Sequence, residues 1–94
     1  MLIQWYADIE GDDSKIIPRV VELTKEVNKT VGGRLLGGPY RPQTASLLLL
    51  EEYDSIEQFQ KAGKLLLDRA QREGLPVTPI RYEVAFGVGE AGGP

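Results

Sequence analysis

Neither cysteine nor histidine occurs in the 94 residues of this chain. The first absence excludes disulfides, thiolate zinc sites, iron–sulfur clusters and cysteine nucleophiles. The second removes histidine acid–base catalysis, the Ser-His-Asp triad, histidine-ligated haem and most zinc or copper sites. No cofactor is expected, and no metal. Basic residues are also few: 11 Lys and Arg stand against 14 Asp and Glu, a net charge of −3, with a pI near 4.9. Attraction to nucleic acid or to an anionic membrane therefore has no electrostatic footing. Long apolar runs are missing, since the longest is Leu47–Leu50, far too short to span a bilayer. The start, Met1-Leu2-Ile3-Gln4-Trp5, has no basic stretch followed by an apolar one. That argues against a secretory signal, and the expected location is the cytoplasm.

What is present suits one small globular domain: 41% of residues are apolar and 27% charged. A chain this short buries only about 60–65% of its unfolded surface, so a neighbouring subunit would add considerably to stability. Residues 2–9 alternate, with Ile3, Trp5, Ala7 and Ile9 on one side and Leu2, Gln4, Tyr6 and Asp8 on the other, the period of a strand. Gly11-Asp12-Asp13-Ser14 turns the chain and offers N-cap residues. From about 15 to 31 the period becomes helical, with Ile16, Val20, Leu23, Val27 and Val31 as the apolar stripe, Pro18 in or near the first turn, and Gly32-Gly33 as the stop. Arg34-Leu35-Leu36 reads as a short edge strand interrupted by Gly37-Gly38-Pro39. A third strand is expected from Thr44 to Tyr53.

Ser55 and Gln58 match a capping box for a second helix, whose buried stripe is read as Ile56, Phe59, Gly63, Leu66, Leu67 and Ala70, with Leu65 on the opposite side. Glu57–Lys61, Lys64–Asp68, Asp68–Arg72 and Arg69–Glu73 stand at favourable spacing on its wet face. Gly74 ends it and Pro76–Pro79 forms an extended crossover. The last strand, Ile80–Val88, puts Ile80, Tyr82, Val84, Phe86 and Val88 on one face and Arg81, Glu83 and Ala85 on the other. The order β-α-β-β-α-β predicts a ferredoxin-like α+β domain over residues 1–88, a four-stranded antiparallel sheet with both helices on one face, followed by a flexible tail at 89–94.

Leu47, Leu48, Leu49 and Leu50 are apolar on both faces of their strand, which implies burial on both sides. Leaving two leucines in water forgoes roughly 3–6 kcal/mol of burial free energy. The same face of a second copy is the simplest cover, in a symmetric homodimer or a multiple of dimers. A strand end curling under a loop is the rival explanation. With this topology, the run Glu52-Tyr53-Asp54-Ser55-Ile56-Glu57-Gln58-Phe59 is similar to the junction between third strand and second helix in the dimeric α+β barrel superfamily. That superfamily includes antibiotic-biosynthesis-monooxygenase-like, EthD-like, muconolactone-isomerase-like and stress-responsive barrel domains. The resemblance implies sheet-to-sheet dimers. Haem-degrading members use a histidine ligand, which this chain lacks, and no catalytic signature carries over.

In such a barrel each subunit's sheet and its partner enclose a cleft. Gln4, Tyr6 and Asp8 from the first strand, with Arg81 and Glu83 from the last, are expected to face it and bind substrate. Arg34, Tyr40, and Ser46 or Glu52 join them subject to register. Catalytic candidates are Tyr6 as a hydroxyl donor, Arg81 to bind an anionic or carbonyl group, and Glu83, or Asp8, to take a proton. The same Arg81 and Glu83, two apart on one strand face, also read as an interface ion pair. Other signals are weaker. Trp5 shares the side of Ile3 and Ile9 and reads as core. Glu51 and Glu52 are adjacent in a strand, point to opposite faces and cannot share a proton. Glu10, Asp12 and Asp13 do not match a calcium loop and suit the helix dipole instead. Gly32-Gly33 and Gly37-Gly38 lack the following helix that a phosphate cradle needs.

The topology also hosts RNA-recognition motifs, but the third strand lacks their basic-glycine-aromatic pattern, and metal chaperones of this fold need paired cysteines. Two readings remain. One is a homodimer that binds a small, partly apolar, oxygenated metabolite, such as a phenol, quinone or lactone, in the cleft between sheet and partner. The alternative is a non-catalytic dimeric structural or regulatory module without a ligand pocket. Neither involves nucleic acid or a membrane.

Overall fold

The alternation at the start of the chain becomes β1 (Leu2–Ile9) in a computed structural model that describes residues 1–85. Ile3, Trp5 and Ala7 are buried and Ile9 packs at the edge of the same core. The chain continues through α1 (Asp13–Val31), β2 (Arg34–Tyr40), β3 (Leu47–Glu52), α2 (Ile56–Arg72) and β4 (Val77–Ala85). All strands pair antiparallel in the order β2-β3-β1-β4. This is the ferredoxin-like βαββαβ α+β fold. Phe86, Val88 and the tail at 89–94 lie outside the described residues.

Asp12 caps α1, its carboxylate accepting from Ser14 N–H at 3.1 Å, and Gly32 closes it at φ 94°. The helix starts earlier than its periodicity suggests, so Pro18 sits in the second turn rather than near the first. Proline there leaves the Ser14 carbonyl without a helical partner, and both residues are exposed, where water can meet it. The buried face is centred on Ile17, Val20, Leu23, Thr24, Val27 and Asn28, with Ile16 and Val31 only at its flank. Two polar residues in that stripe shifted its apparent centre.

Ser55 caps α2 by accepting from Gln58 N–H, while the Gln58 amide oxygen accepts from Asp54 N–H, one residue before the usual capping-box partner. Phe59, Ala62, Leu66 and Ala70 are its buried face. Gly63 and Leu67 are half-buried beside it, and Leu65 packs against the core rather than standing opposite. A stripe centred on Ala62 and Leu66 puts Leu65 and Leu67 on its two flanks. Gly74 at φ 70° completes the stop, with Leu75 N–H donating to the Ala70 carbonyl and Gly74 N–H to that of Gln71. Of the expected pairs on the wet face, Asp68–Arg72 forms at 3.1 Å, whereas Glu73 and Arg69 turn to α1. Arg19 grips Glu73 at 2.6 Å and also meets Glu22 and Glu26, tying the start of α1 to the end of α2.

Three strand boundaries differ from the reading of the sequence. β2 runs on through Gly37-Gly38-Pro39 to Tyr40, its register shifting on both sides of Gly37. Gly38, at φ 105°, lies so close to β3 that a Cβ would come within 2.8 Å of the Leu48 carbonyl. β3 starts at Leu47 rather than Thr44, because Asp8 and Ser46 hold the preceding turn: Ser46 N–H donates to Asp8 Oδ1 at 3.2 Å, and Ile9 N–H donates to Ser46 Oγ. β4 begins at Val77 rather than Ile80, so Pro79 is inside the strand, as an edge position permits. The register slips between Tyr6 and Ala7, which leaves Ile80 unpaired and 42% exposed.

β3 resolves the four leucines. Leu47 and Leu49 are fully enclosed under the helices, while Leu48 and Leu50 stand half-buried on the opposite, open face. Among the described residues no helix is long and apolar enough to cross a membrane.

Candidate functional site

The strand registers build the open face row by row. One row crosses all four strands as Tyr40, Leu48, Tyr6 and Arg81. The next is Gly37, Leu50, Gln4 and Glu83, and a third begins Arg34, Glu52 and Leu2. Tyr6 lies at the centre and is only 8% exposed, because the Arg81 guanidinium sits over its ring, 4.0 Å from the centroid. Tyr6 O–H donates to Glu83 Oε2 at 3.4 Å, and Arg81 Nε is 3.6 Å from Glu83 Oε1. The three catalytic candidates are thus brought into mutual contact.

The other expected members behave differently. Gln4 is half-buried between Leu50 and Glu83 in its row. Asp8 does not join the cluster, since its carboxylate is committed to the Ser46 backbone N–H and hydroxyl. Arg34 and Glu52 pair with each other at the far end, with Nε 2.9 Å from Oε1. Tyr40 is 52% exposed on the β2 edge, its hydroxyl over Gly37, where a Cβ would come within 2.6 Å of it.

A second cluster lies under the helices. Glu51 points opposite to Glu52, into the core, and is 4% exposed. Burial pushes its carboxyl up to about 7, opposed by a hydrogen bond from Tyr53. The Tyr53 hydroxyl is 2.6 Å from Glu51 Oε1 and 2.9 Å from Asn28 Oδ1, while Asn28 Nδ2 has no partner. Burial and the adjacent carboxylate push the Tyr53 hydroxyl up as well. One phenolic proton serves one acceptor, so the chain of bonds has two orders. With Glu51 protonated, Glu51 donates to Tyr53 and Tyr53 to Asn28 Oδ1. With Glu51 ionised, Tyr53 donates to Glu51, and a turned Asn28 amide offers Nδ2 to the Tyr53 oxygen. Gly33 makes room for this arrangement, because a side chain there would run into the Tyr53 ring.

Beside Glu51 is a cavity of about 10 Å³, room for about one water-sized group, bounded by Trp5, Thr24, Phe59, Gly63 and Leu66 among others. In the sequence Glu51 stands out only as half of the Glu51-Glu52 pair. The usable signal was its phase: Glu51 follows Leu47 and Leu49 at the strand period, so a carboxylate falls on the core face. Asn28 gave a fainter sign, standing in helical step with Thr24 and Val20. Among the described residues, no three acidic side chains converge closely enough to hold a metal ion.

Compared with known proteins, the chain matches no family model, no curated protein and no solved structure.

Proposed function

We propose that the chain acts as a cytoplasmic homodimer, sheet against sheet as in the dimeric α+β barrels, and holds a small, partly apolar, oxygenated molecule between its open face and the partner. The observation that carries this reading is the row Tyr40–Leu48–Tyr6–Arg81, which puts two tyrosines and a guanidinium beside the half-buried Leu48. The pattern is that of an interface, with an apolar centre containing Tyr and Arg and a polar rim. Each end of the rim carries one Arg and one Glu, as Arg34–Glu52 and Arg81–Glu83. A face neutral in this way suits a second copy of itself better than a charged partner. Arg81 would hold a carbonyl or anionic oxygen, Tyr6 would donate to it, and Glu83 would receive a proton.

One observation favours a structural module instead: Tyr6, Arg81 and Glu83 already engage one another without a ligand. Native mass spectrometry on freshly purified protein separates the two. A dimer carrying a few hundred extra daltons is the expected result, lost in Tyr6→Phe and Arg81→Ala while the dimer persists. A bare dimer transfers the weight to the module, and a monomer overturns the sheet-to-sheet reading.

A further inference from the structure

The outer edge of a sheet presents backbone groups that another strand can pair with, and the two edges of this sheet differ. β2 is broken by Gly37-Gly38-Pro39, with a register shift on each side of Gly37. β4 is irregular only in its first half, where Pro79 has no N–H and Ile80 is unpaired with β1. Beyond that point Arg81 to Ala85 pair with Tyr6 to Leu2 in unbroken register, and among the described residues no strand takes their outer side. Thr78 through Glu83 are all exposed. Tyr82 is 43% exposed although it stands on the helix side of the sheet, opposite Trp5 and with its ring 4.8 Å from that of Phe59.

The residues about Tyr82 are complementary to themselves. Antiparallel pairing of two β4 strands about a two-fold axis at Tyr82 sets residue 81 against residue 83 of the second copy, and residue 80 against residue 84. Each Arg81 then faces a glutamate, each Glu83 an arginine and each Ile80 a valine. Directly opposite residues must share a face, so the neighbouring registers have their axis at Arg81 or at Glu83. Both set like charges against each other. Pro79, without a donor, ends the ladder, which therefore runs over residues 80–84.

We propose that β4 is an interaction edge for a second copy of the chain, joined antiparallel about Tyr82 into one continuous eight-stranded sheet. The axis stands perpendicular to the sheet, so the two open faces lie side by side and remain free to pack on others. The contact is separate from the sheet-to-sheet assembly and does not depend on it. Five residues on each strand bury far less than a stable dimer needs, so the pair forms at high protein concentration. Dilute protein keeps only the assembly of its open face.

The chain has no cysteine, so a single introduced thiol reports on a single contact. Tyr82→Cys sets two thiols against each other at the axis, within disulfide range. A face-to-face dimer holds them apart, because residue 82 is on the helix side. At millimolar concentration under mild oxidation, Tyr82→Cys is expected to form a covalent dimer about tenfold or more faster than Lys29→Cys. Lys29 is exposed beside β2, at the opposite edge of the sheet. Adding Arg81→Glu to Tyr82→Cys sets acid against acid twice and is expected to slow the cross-link about tenfold. Adding Glu83→Arg as well restores it, although Tyr6 still lacks Arg81, so the recovery cannot come from the open-face cluster. Adding Leu48→Arg instead, which cuts the open-face assembly, leaves the rate unchanged. If Tyr82→Cys fails to fold, amide exchange in the parent decides, with Arg81 to Val84 expected to gain protection as concentration rises. The proposal is overturned if Tyr82→Cys cross-links no faster than Lys29→Cys, if charge reversal leaves the rate unchanged, if the cross-link needs Leu48, or if those amides gain no protection. An open-face dimer that persists through such a failure keeps its own reading.

Discussion

Each face of the sheet holds a tyrosine hydroxyl beside a glutamate, and the two pairs have opposite characters. On the open face Tyr6 meets Glu83, whose side chain is 53% exposed and has Arg81 as its counter-ion. Under the helices Tyr53 meets Glu51, which is 4% exposed and takes its hydrogen bond in an apolar shell. The first glutamate has water and a cation beside it, and the second has neither. Burial makes Glu51 resist ionisation. The same two residue types therefore give a surface ion-pair cluster on one side and a buried carboxyl that holds its proton to higher pH on the other.

The difference between the faces is tested most severely at the leucines of β3. Leu49 is fully enclosed, so Leu49→Arg leaves an unpaired charge in the core. The cost, about 3–5 kcal/mol or more, is a large share of a small domain's stability, and the variant is expected to lose its cooperative melting transition. Leu48→Arg, one residue away on the open face, is expected to keep the transition and to convert the proposed dimer to monomer in sedimentation. If both variants melt and sediment as the parent does, neither face is buried as described.

The next effect comes from Glu51. Its folded value of about 7 lies above the ordinary carboxyl value of 4.5 that the unfolded chain retains. Between those values the unfolded state has released its proton and the folded state still holds it. Stability is therefore fully present below about pH 4.5 and falls as pH rises through 7, by about 3 kcal/mol in total. Urea unfolding across this range is expected to show a falling midpoint, and Glu51→Gln to flatten it. A parent profile that rises or stays level from pH 5 to 7.5 would refute the burial argument.

How far these features were legible in the sequence depended on whether a pattern was local. β1, the end of α1, the start and stop of α2 and the sides of Arg81 and Glu83 followed from period and caps, because neighbouring residues decide them. The meeting of Tyr6, Arg81 and Glu83 needed only the expected topology, since β1 and β4 are neighbours in it. The limits of β2, β3 and β4 were not legible. They depend on cross-strand events: Gly38 pressed against Leu48, Asp8 holding Ser46, and the slip that ejects Ile80. Strand phase alone places Asp8 in the cleft, and it cannot reveal that a turn residue 38 positions away claims its carboxylate. The Glu51 cluster draws on α1, β3 and α2 together, so only its phase was visible beforehand.

The smallest effect is the most direct comparison, because one change can be made on each face. Tyr6→Phe removes a hydrogen bond of 3.4 Å to a glutamate that keeps Arg81 and water, so the loss in stability is expected to be about 0.5 kcal/mol or less. Tyr53→Phe removes a 2.6 Å bond to a glutamate with no substitute and strands Asn28 beside it, for about 1–3 kcal/mol. Size alone does not show whether the Tyr53 hydroxyl governs the charge of Glu51, but the pH profile does. The Tyr53 hydroxyl holds Glu51 down against the effect of burial. Its removal should push the carboxyl higher still, moving the alkaline end of the stability loss upward in pH, while Tyr6→Phe leaves that profile where it was. Equal and unshifted profiles for the two variants would mean that the hydroxyl of Tyr53 fills space beside Glu51 without governing its charge.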